Sequence, residues 1–308
     1  MNYASDPIWW RLKKTIVRDL ASLLTAPSPW ISTLELPISQ LLGDDGFRFL
    51  LALDKQPEDL YIFLKRHSGY QSHLGIYAEK LLQYWFLNAP HSQLIAHNLT
   101  VMDKQRTAGA MDFIVQLNNQ KYHLELACKY FGSYSNKLES FIGLNQSDLL
   151  KNKRDKIIQQ LALSTSLEAK KSLAKLSVQP EELRQASIIR GMLFTPTGNT
   201  HFQTPLNPLC WQGRYIEDWS DLEAPEDSRF YLLNHLSLLS PVRISSNAIV
   251  NFNQIKQIKQ GIIAIVQKHE DGYWHENRKN HEKRQKSCAT INYCKCLGHY
   301  IGFYKGLW

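Results

Sequence analysis

MDFIVQLNNQKYHLELACKY, residues 111–130, alternates apolar and polar side chains on both sides of Leu117-Asn118-Asn119-Gln120. Alternation of period two marks strands, and the polar step between the runs marks a turn. The stretch is therefore two strands of a hairpin. Apart from Lys121 beside the turn, three charged side chains interrupt its apolar residues: Asp112, Glu125 and Lys129. Strand periodicity puts Asp112 on a face with Ile114 and Gln116, and Glu125 on a face with His123, Ala127 and Lys129. A hairpin can bring the two carboxylates onto one sheet face near its end. Like charges there repel unless a proton or a cation sits between them. Mg²⁺ (or Mn²⁺) suits hard oxygen ligands and keeps several waters. Such an ion lowers the pKa of a bound water and stabilises charge on a phosphoryl oxygen, and Lys129 could neutralise the charge that develops. A solvated sheet face or strand end accounts for the same three charges.

Working outward, SHLGIYAEKLLQYWFLN (72–88) has helical spacing and stops before Pro90. Glu79 lies on the side of Ile76, Leu82 and Phe86. From there it could reach over the sheet rim as a further metal ligand, or lie along the boundary with its stem on apolar surface. Residues 92–103 read as a strand, and KQRTAG turns the chain toward Met111. After Tyr130 comes a loop, then a helix over 148–164 with a basic side, a further helix over 166–176, and a strand over 186–196 ended by Pro196. Helix, strand, strand, strand, helix, strand predicts a sheet flanked by helices.

At the N-terminal end, 8–24 reads as an amphipathic helix stopped by PSPW, with a looser segment to about residue 55. Residues 197–225 are rich in Pro, Gly and Trp, and the runs 228–242 and 248–274 suggest further small α/β elements. A length of 308 residues, 44% hydrophobic and 21% charged, suits one globular domain over 1–278 with a subdomain boundary near 200. No apolar run reaches membrane-spanning length. The first residues lack a basic start followed by an apolar core, so a cytoplasmic protein is expected. The net charge of +8 mildly favours an anionic partner, DNA or RNA. Lys151 and Arg154, with neighbouring Asn145 and Gln146, could face a phosphate backbone, or the helix could be solvated there. Trp9, Trp10 and Trp85 read as packing residues. So do Cys128 and Cys210, and disulfides are not expected in a reducing compartment.

The pieces LGIYAEKLLQYWFL (74–87), GAMDFIV (109–115), HLELACKYF (123–131), GLNQSDLLKNKRDKIIQQLALS (143–164), RGMLFTP (190–196) and LNPLCWQGRY (206–215) resemble the bacterial DUF1853 family, which is assigned to the PD-(D/E)XK nuclease-like superfamily. The resemblance covers most of 70–215. It implies a restriction-endonuclease-like mixed central sheet flanked by helices, with additional C-terminal α/β elements. It also implies a site in which Asp112 matches the aspartate, Glu125 the second acid and Glu79 the helical glutamate. The lysine position is occupied by Ala127. Lys129 stands two residues further on, about 6.6 Å along an ideal strand, a gap that a bulge would shorten. Gly109-Ala110 replaces the common proline. The function implied is a Mg²⁺-dependent phosphodiesterase acting on DNA or RNA. The alternative is a nucleic-acid-binding or scaffolding protein that keeps the fold without catalysis. After Arg278 the resemblance ends, and 279–308 is expected to be an atypical, poorly packed tail, which a shifted reading frame is one way to produce. Its Cys288, Cys294, Cys296 and His299 are soft ligands, but C-x-C lacks the usual two-residue turn and zinc is not expected there.

Overall fold

A computed structural model describes residues 11–135, 137–143, 148–197, 201–222, 224, 228–276 and the backbone of 291–295. The opening hairpin is present. β1 (Ser92–Asp103), β2 (Arg106–Leu117) and β3 (Gln120–Gly132) form an antiparallel meander. Asn118, at φ 50°, turns β2 into β3, as expected of an Asn in a tight turn. β4 (Ile142–Gly143) pairs with the end of β3. β5 (Leu183–Thr195) runs parallel to β3, and β6 (Trp211–Ile216) parallel to β5. β7 (Arg229–Leu233), β8 (Arg243–Ile244), β9 (Gln260–Lys268), β10 (Trp274–Glu276) and β11 (Ile291–Lys295) complete one mixed sheet. Its order is β1-β2-β3-β5-β6-β11-β9-β10-β8, with β7 on the other side of β9. β11 bridges β6 and β9, while 277–290 and 296–308 lie outside the described residues, as do Trp9 and Trp10.

Helices cover both faces of the first half of the sheet. Phe113, Val115 and Leu117 of β2, with Leu124 of β3 and Ile188 of β5, pack beneath α1 (Thr15–Thr25), α2 (Ile38–Leu42), α3 (Gly46–Lys55), α4 (Glu58–Arg66) and α5 (Leu74–Asn88). Ala127, Phe131, Ile189 and Leu193 point the other way, against α6 (Leu150–Ala162). Met111 and Ile114 pack against α7 (Leu167–Ala174). Burial on both faces explains the nearly unbroken apolar run of β5. The short α8 (Phe252–Lys256) packs Ile255 against Ile263 and Ile265 in a separate C-terminal cluster.

The expected looser segment before residue 55 is a correction: it holds α2 and α3, and α4 follows. Their spacing is helical, with Leu50 and Leu53 of α3 and Leu60 and Leu64 of α4 buried, but Pro37, Gly43 and Pro57 cut it into pieces too short to announce themselves. Trp85, Trp211 and Trp219 are buried, and Cys128 and Cys210 are free thiols.

Two adjacent residues lock β5 in place. Arg190 projects toward α1 and donates to the carbonyls of Leu23 (2.7 Å) and Leu24 (3.5 Å) and to the Glu35 carboxylate (2.5 Å). Gly191, at φ 155°, lies opposite Lys129, and a Cβ there would stand 1.7 Å from the Lys129 carbonyl oxygen. Only glycine allows β5 and β3 to approach this closely.

Candidate functional site

Both ladders around Asp112 are interrupted. The β2–β3 register runs from Leu117↔Gln120 to Phe113↔Leu124 and stops before Asp112 and Glu125. On the other side the β1–β2 register passes from His97↔Phe113 to Leu99↔Met111, skipping Asn98 and Asp112, and Asn98 has φ 51°. Side chains take over the pairing at this break. The Asp112 amide donates to Glu125 Oε1 at 3.3 Å, and the Leu126 amide donates to Asp112 Oδ2 at 2.9 Å. Each carboxylate therefore satisfies a backbone donor on the other's strand.

Glu125 is 1% exposed. Its Oε1 also meets His123 Nε2 at 2.9 Å, and its Oε2 accepts from Gln160 Nε2, on α6, at 2.8 Å. His123 is fully buried, and among the described residues its Nδ1 and the Gln160 Oε1 have no hydrogen-bond partner. A proton on Nδ1 would leave an orphaned N–H there and turn the Nε2 lone pair on a carboxylate oxygen, so the neutral tautomer that fits carries its proton on Nε2 and donates to Glu125.

The Asp112 carboxyl is pushed up to about 7, first by burial, then by the Glu125 charge, with a smaller push from Glu79. The Leu126 amide and Lys153 oppose the rise. Near neutral pH a proton thus takes the place that a cation would fill. Lys153, half-buried on α6, is held below the usual lysine range by burial and by Lys129 and Lys156, while Asp112 and Glu125 pull it back up. It shares α6 with Gln160, seven residues on and hence on the same helix side. Lys129, the lysine singled out in the sequence, instead forms an ion pair with Asp148 at 2.5 Å, both about one-third exposed.

Glu79 stands on the α5 side of the sheet, where His97 Nε2 (2.6 Å) and Asn98 Nδ2 (2.8 Å) both reach its Oε1. Burial acts to raise its pKa, but His97, Asn98 and Lys80 outweigh it, and the net direction is down. Glu79 is therefore an ionised carboxylate that reaches Asp112 through its field. Among the described residues, Glu79, Asp112 and Glu125 do not gather their oxygens within 4.8 Å of one another; His269, Asp271 and His275 do gather three potential ligand atoms that closely, and could coordinate a metal ion. The HEDGYWH run around the turn into β10 carries that second group, and its spacing was the available sequence signal. Lys151 is exposed and Arg154 half-buried on α6, while Asn145 and Gln146 lie outside the described residues. So do Cys288, Cys296 and His299, and Cys294 lies on β11.

The raised Asp112 pKa has a thermodynamic consequence with a definite sign. The folded value, about 7, lies above the unfolded value near 3.9. Its contribution is fully present below about pH 4 and is lost as pH rises through about 7. Asp112→Asn, neutral throughout, should match the natural chain at pH 4 in chelator and exceed its stability at pH 8 by on the order of 2–4 kcal/mol. Urea unfolding at the two pH values measures this; an unchanged difference between them would contradict the electrostatic picture.

Among the described residues no helix is long and apolar enough to cross a membrane. Neither the curated proteins nor the solved structures contain a match to this chain. One family model does match, described as a domain of unknown function, DUF1853, and it spans residues 9–284. That span covers most of the chain, the β2–β3 hairpin and α6 included, and the chain belongs to the DUF1853 family.

Proposed function

We propose that this protein is a divalent-cation-dependent phosphodiesterase acting on DNA or RNA in the bacterial cytoplasm, built on a restriction-endonuclease-like variant of the mixed sheet. The observation that carries this is the buried acid pair at the broken ladder, with the Asp112 carboxyl raised to about 7 first by burial and then by the Glu125 charge beside it. The donor set fits Mg²⁺ or Mn²⁺: both acids offer hard oxygens, and although the Asp112 amide and His123 take up Glu125 Oε1, Glu125 Oε2 and Asp112 Oδ2 each accept one hydrogen bond and keep a lone pair. When bound, such an ion supplies an activated water and stabilises charge on a phosphoryl oxygen. Asp112 and Glu125 would hold it. His123 and Gln160 keep Glu125 in one orientation, and the Leu126 amide does the same for Asp112. His97 and Asn98 hold Glu79 as a fixed negative charge behind the pair.

Lys153 is the amine best coupled to the acids, and its ammonium is assigned to the charge developing on the phosphoryl group. Lys129, bound to Asp148, contributes to the positive edge beside it. Lys153→Met should lower turnover by roughly 10–100-fold while nucleic-acid affinity changes by less than about threefold, because the interaction strengthens in the transition state. Lys129→Ala should have the smaller effect on turnover. Single-turnover cleavage and equilibrium binding on both variants decide the assignment; the reverse order of effects would give the role to Lys129.

A second reading is a catalytically inactive nucleic-acid-binding protein. Its support is that Glu125 is already satisfied by His123 and Gln160, as in a purely structural polar network. Binding without cleavage of duplex DNA, single-stranded DNA and RNA, in Mg²⁺ and in Mn²⁺, would select it.

A further inference from the structure

A cleft of about 760 Å³ opens between the start of α1 and the β8–β10 region. Arg11, Lys13 and Lys14 line it from one side and Arg243 from the other. Asp54 accepts the backbone amides of Lys13 and Lys14 at 2.7–2.9 Å, so the segment is pinned by its main chain. Among the described residues no carboxylate pairs with the side chains of Arg11, Lys13 or Lys14. Arg243 is held on two sides. Its guanidinium lies 3.5 Å from the centroid of the Tyr273 ring, and its Nε and Nη2 contact Asp271 Oδ2 at 3.2 and 3.1 Å. The single carboxylate of the lining is thus matched by Arg243, and the cleft retains a surplus of three positive charges.

Two ligand chemistries compete for this place. His269, Asp271 and His275 could hold a transition metal ion. A dication, however, would enter a region already rich in cations, next to a carboxylate engaged by Arg243 and by His275 Nε2 at 3.0 Å. An anion gains from every one of those charges. A planar guanidinium already fixed by ring and carboxylate loses little freedom on binding, and guanidinium geometry matches phosphate oxygens. The volume falls in the range of small-ligand sites, larger than phosphate alone requires.

We infer that this cleft binds a phosphate group, carried either by a free nucleotide-sized molecule or by a nucleic-acid backbone. Arg243 makes the directed contact, Lys13, Lys14 and Arg11 supply the attracting field, and Tyr273 and His269 provide ring surface for whatever the phosphate bears. None of these residues belongs to the Asp112–Glu125 site, so this assignment stands or falls independently of the proposed phosphodiesterase.

Isothermal titration of the full chain with inorganic phosphate, AMP and a single-stranded 12-mer, each in chelator, tests it. Phosphate and AMP should bind, and Arg243→Gln should weaken both at least tenfold, with Arg243→Lys restoring part of the loss. Lys13→Gln combined with Lys14→Gln, at two exposed positions where unfolding is not expected, should weaken both at least threefold. Asp271→Asn should leave phosphate affinity equal or tighter, since it removes the one opposing charge of the lining while its amide oxygen can still accept from Arg243, which also keeps the Tyr273 ring. Tighter binding of the 12-mer than of AMP, lost in the same variants, identifies the backbone as the source; AMP binding at least as tight identifies the free nucleotide. No binding of any of the three probes, or affinities indifferent to both the Arg243→Gln and the double lysine variants, would overturn the assignment. So would Zn²⁺ binding abolished by Asp271→Asn in a chain that binds no phosphate, which would make the group a metal centre.

Discussion

Asp112→Asn and Glu125→Gln should each lower metal-dependent phosphodiester cleavage by at least about a thousandfold, close to 4 kcal/mol of transition-state stabilisation. Each removes one of the two carboxylates that would hold the cation, and an amide oxygen is a weak substitute for a charged one. Neither change should unfold the protein. At Asp112 the amide oxygen can still accept from Leu126. At Glu125 the new side-chain NH₂ would face Gln160 Nε2, but the Gln160 amide can rotate and present Oε1, which has no partner among the described residues. His123 Nε2 and the Asp112 amide keep their acceptor. Cleavage of labelled DNA and RNA in Mg²⁺ and Mn²⁺, with circular dichroism as a control of fold, checks this. Folded variants that retain more than about a tenth of the natural rate would remove both acids from the chemistry. Nucleic-acid binding should persist in both, because it rests mainly on phosphate contacts elsewhere.

Arg190→Met carries the largest expected effect on stability, a loss of about 3–5 kcal/mol. The guanidinium is 3% exposed and joins the end of α1 to β5 through the Leu23 and Leu24 carbonyls. Its partner Glu35 is already raised above the usual carboxylate range, by burial first, with Arg190 opposing the rise. Its Oε2 has no hydrogen-bond partner among the described residues. Methionine fills the space but leaves a largely buried carboxylate and two helix-end carbonyls unanswered, and leaving such groups unpaired costs more than the pair itself contributes. A fall in melting temperature on the order of 10 °C should follow, with a matching fall in the urea midpoint. The double change Arg190→Met with Glu35→Leu should recover much of it, since removing both partners leaves no stranded charge. A single variant within about 1 kcal/mol of the natural chain would show that the cluster is not a structural tie.

Local pattern carries far in this chain where partners are close in sequence. The β2–β3 hairpin follows from alternation and from the Asn118 turn, and α5 from its spacing and Pro90. β5 is recognisable as a strand from its mainly apolar run and from Pro196, while its burial on both faces shows only in the fold. What stays out of reach is tertiary. Whether Lys129 or Lys153 faces the acids depends on how α6 lies across β3, and residue spacing along either element says nothing about that angle. The short helices α2 to α4 are cut by proline and glycine into pieces below the length at which periodicity speaks. β11 pairs with β6 across more than seventy residues of chain, a distance at which no local signal survives. Arg243 and the Lys13–Lys14 pair meet in one cleft from positions about 230 residues apart, so the basic patch they form is visible in three dimensions only.

The central claim is that Asp112 and Glu125 share a cation. Isothermal titration with Mn²⁺ tests it most directly, comparing Asp271→Asn protein, in which the His269–Asp271–His275 group has lost its carboxylate, with the same protein also carrying Asp112→Asn. Mn²⁺ should bind the first with uptake that releases protons near pH 7, because Asp112 must shed its proton to coordinate. In the second, affinity should fall at least thirtyfold and the proton release should vanish. Equal Mn²⁺ affinity in the two proteins would contradict the account.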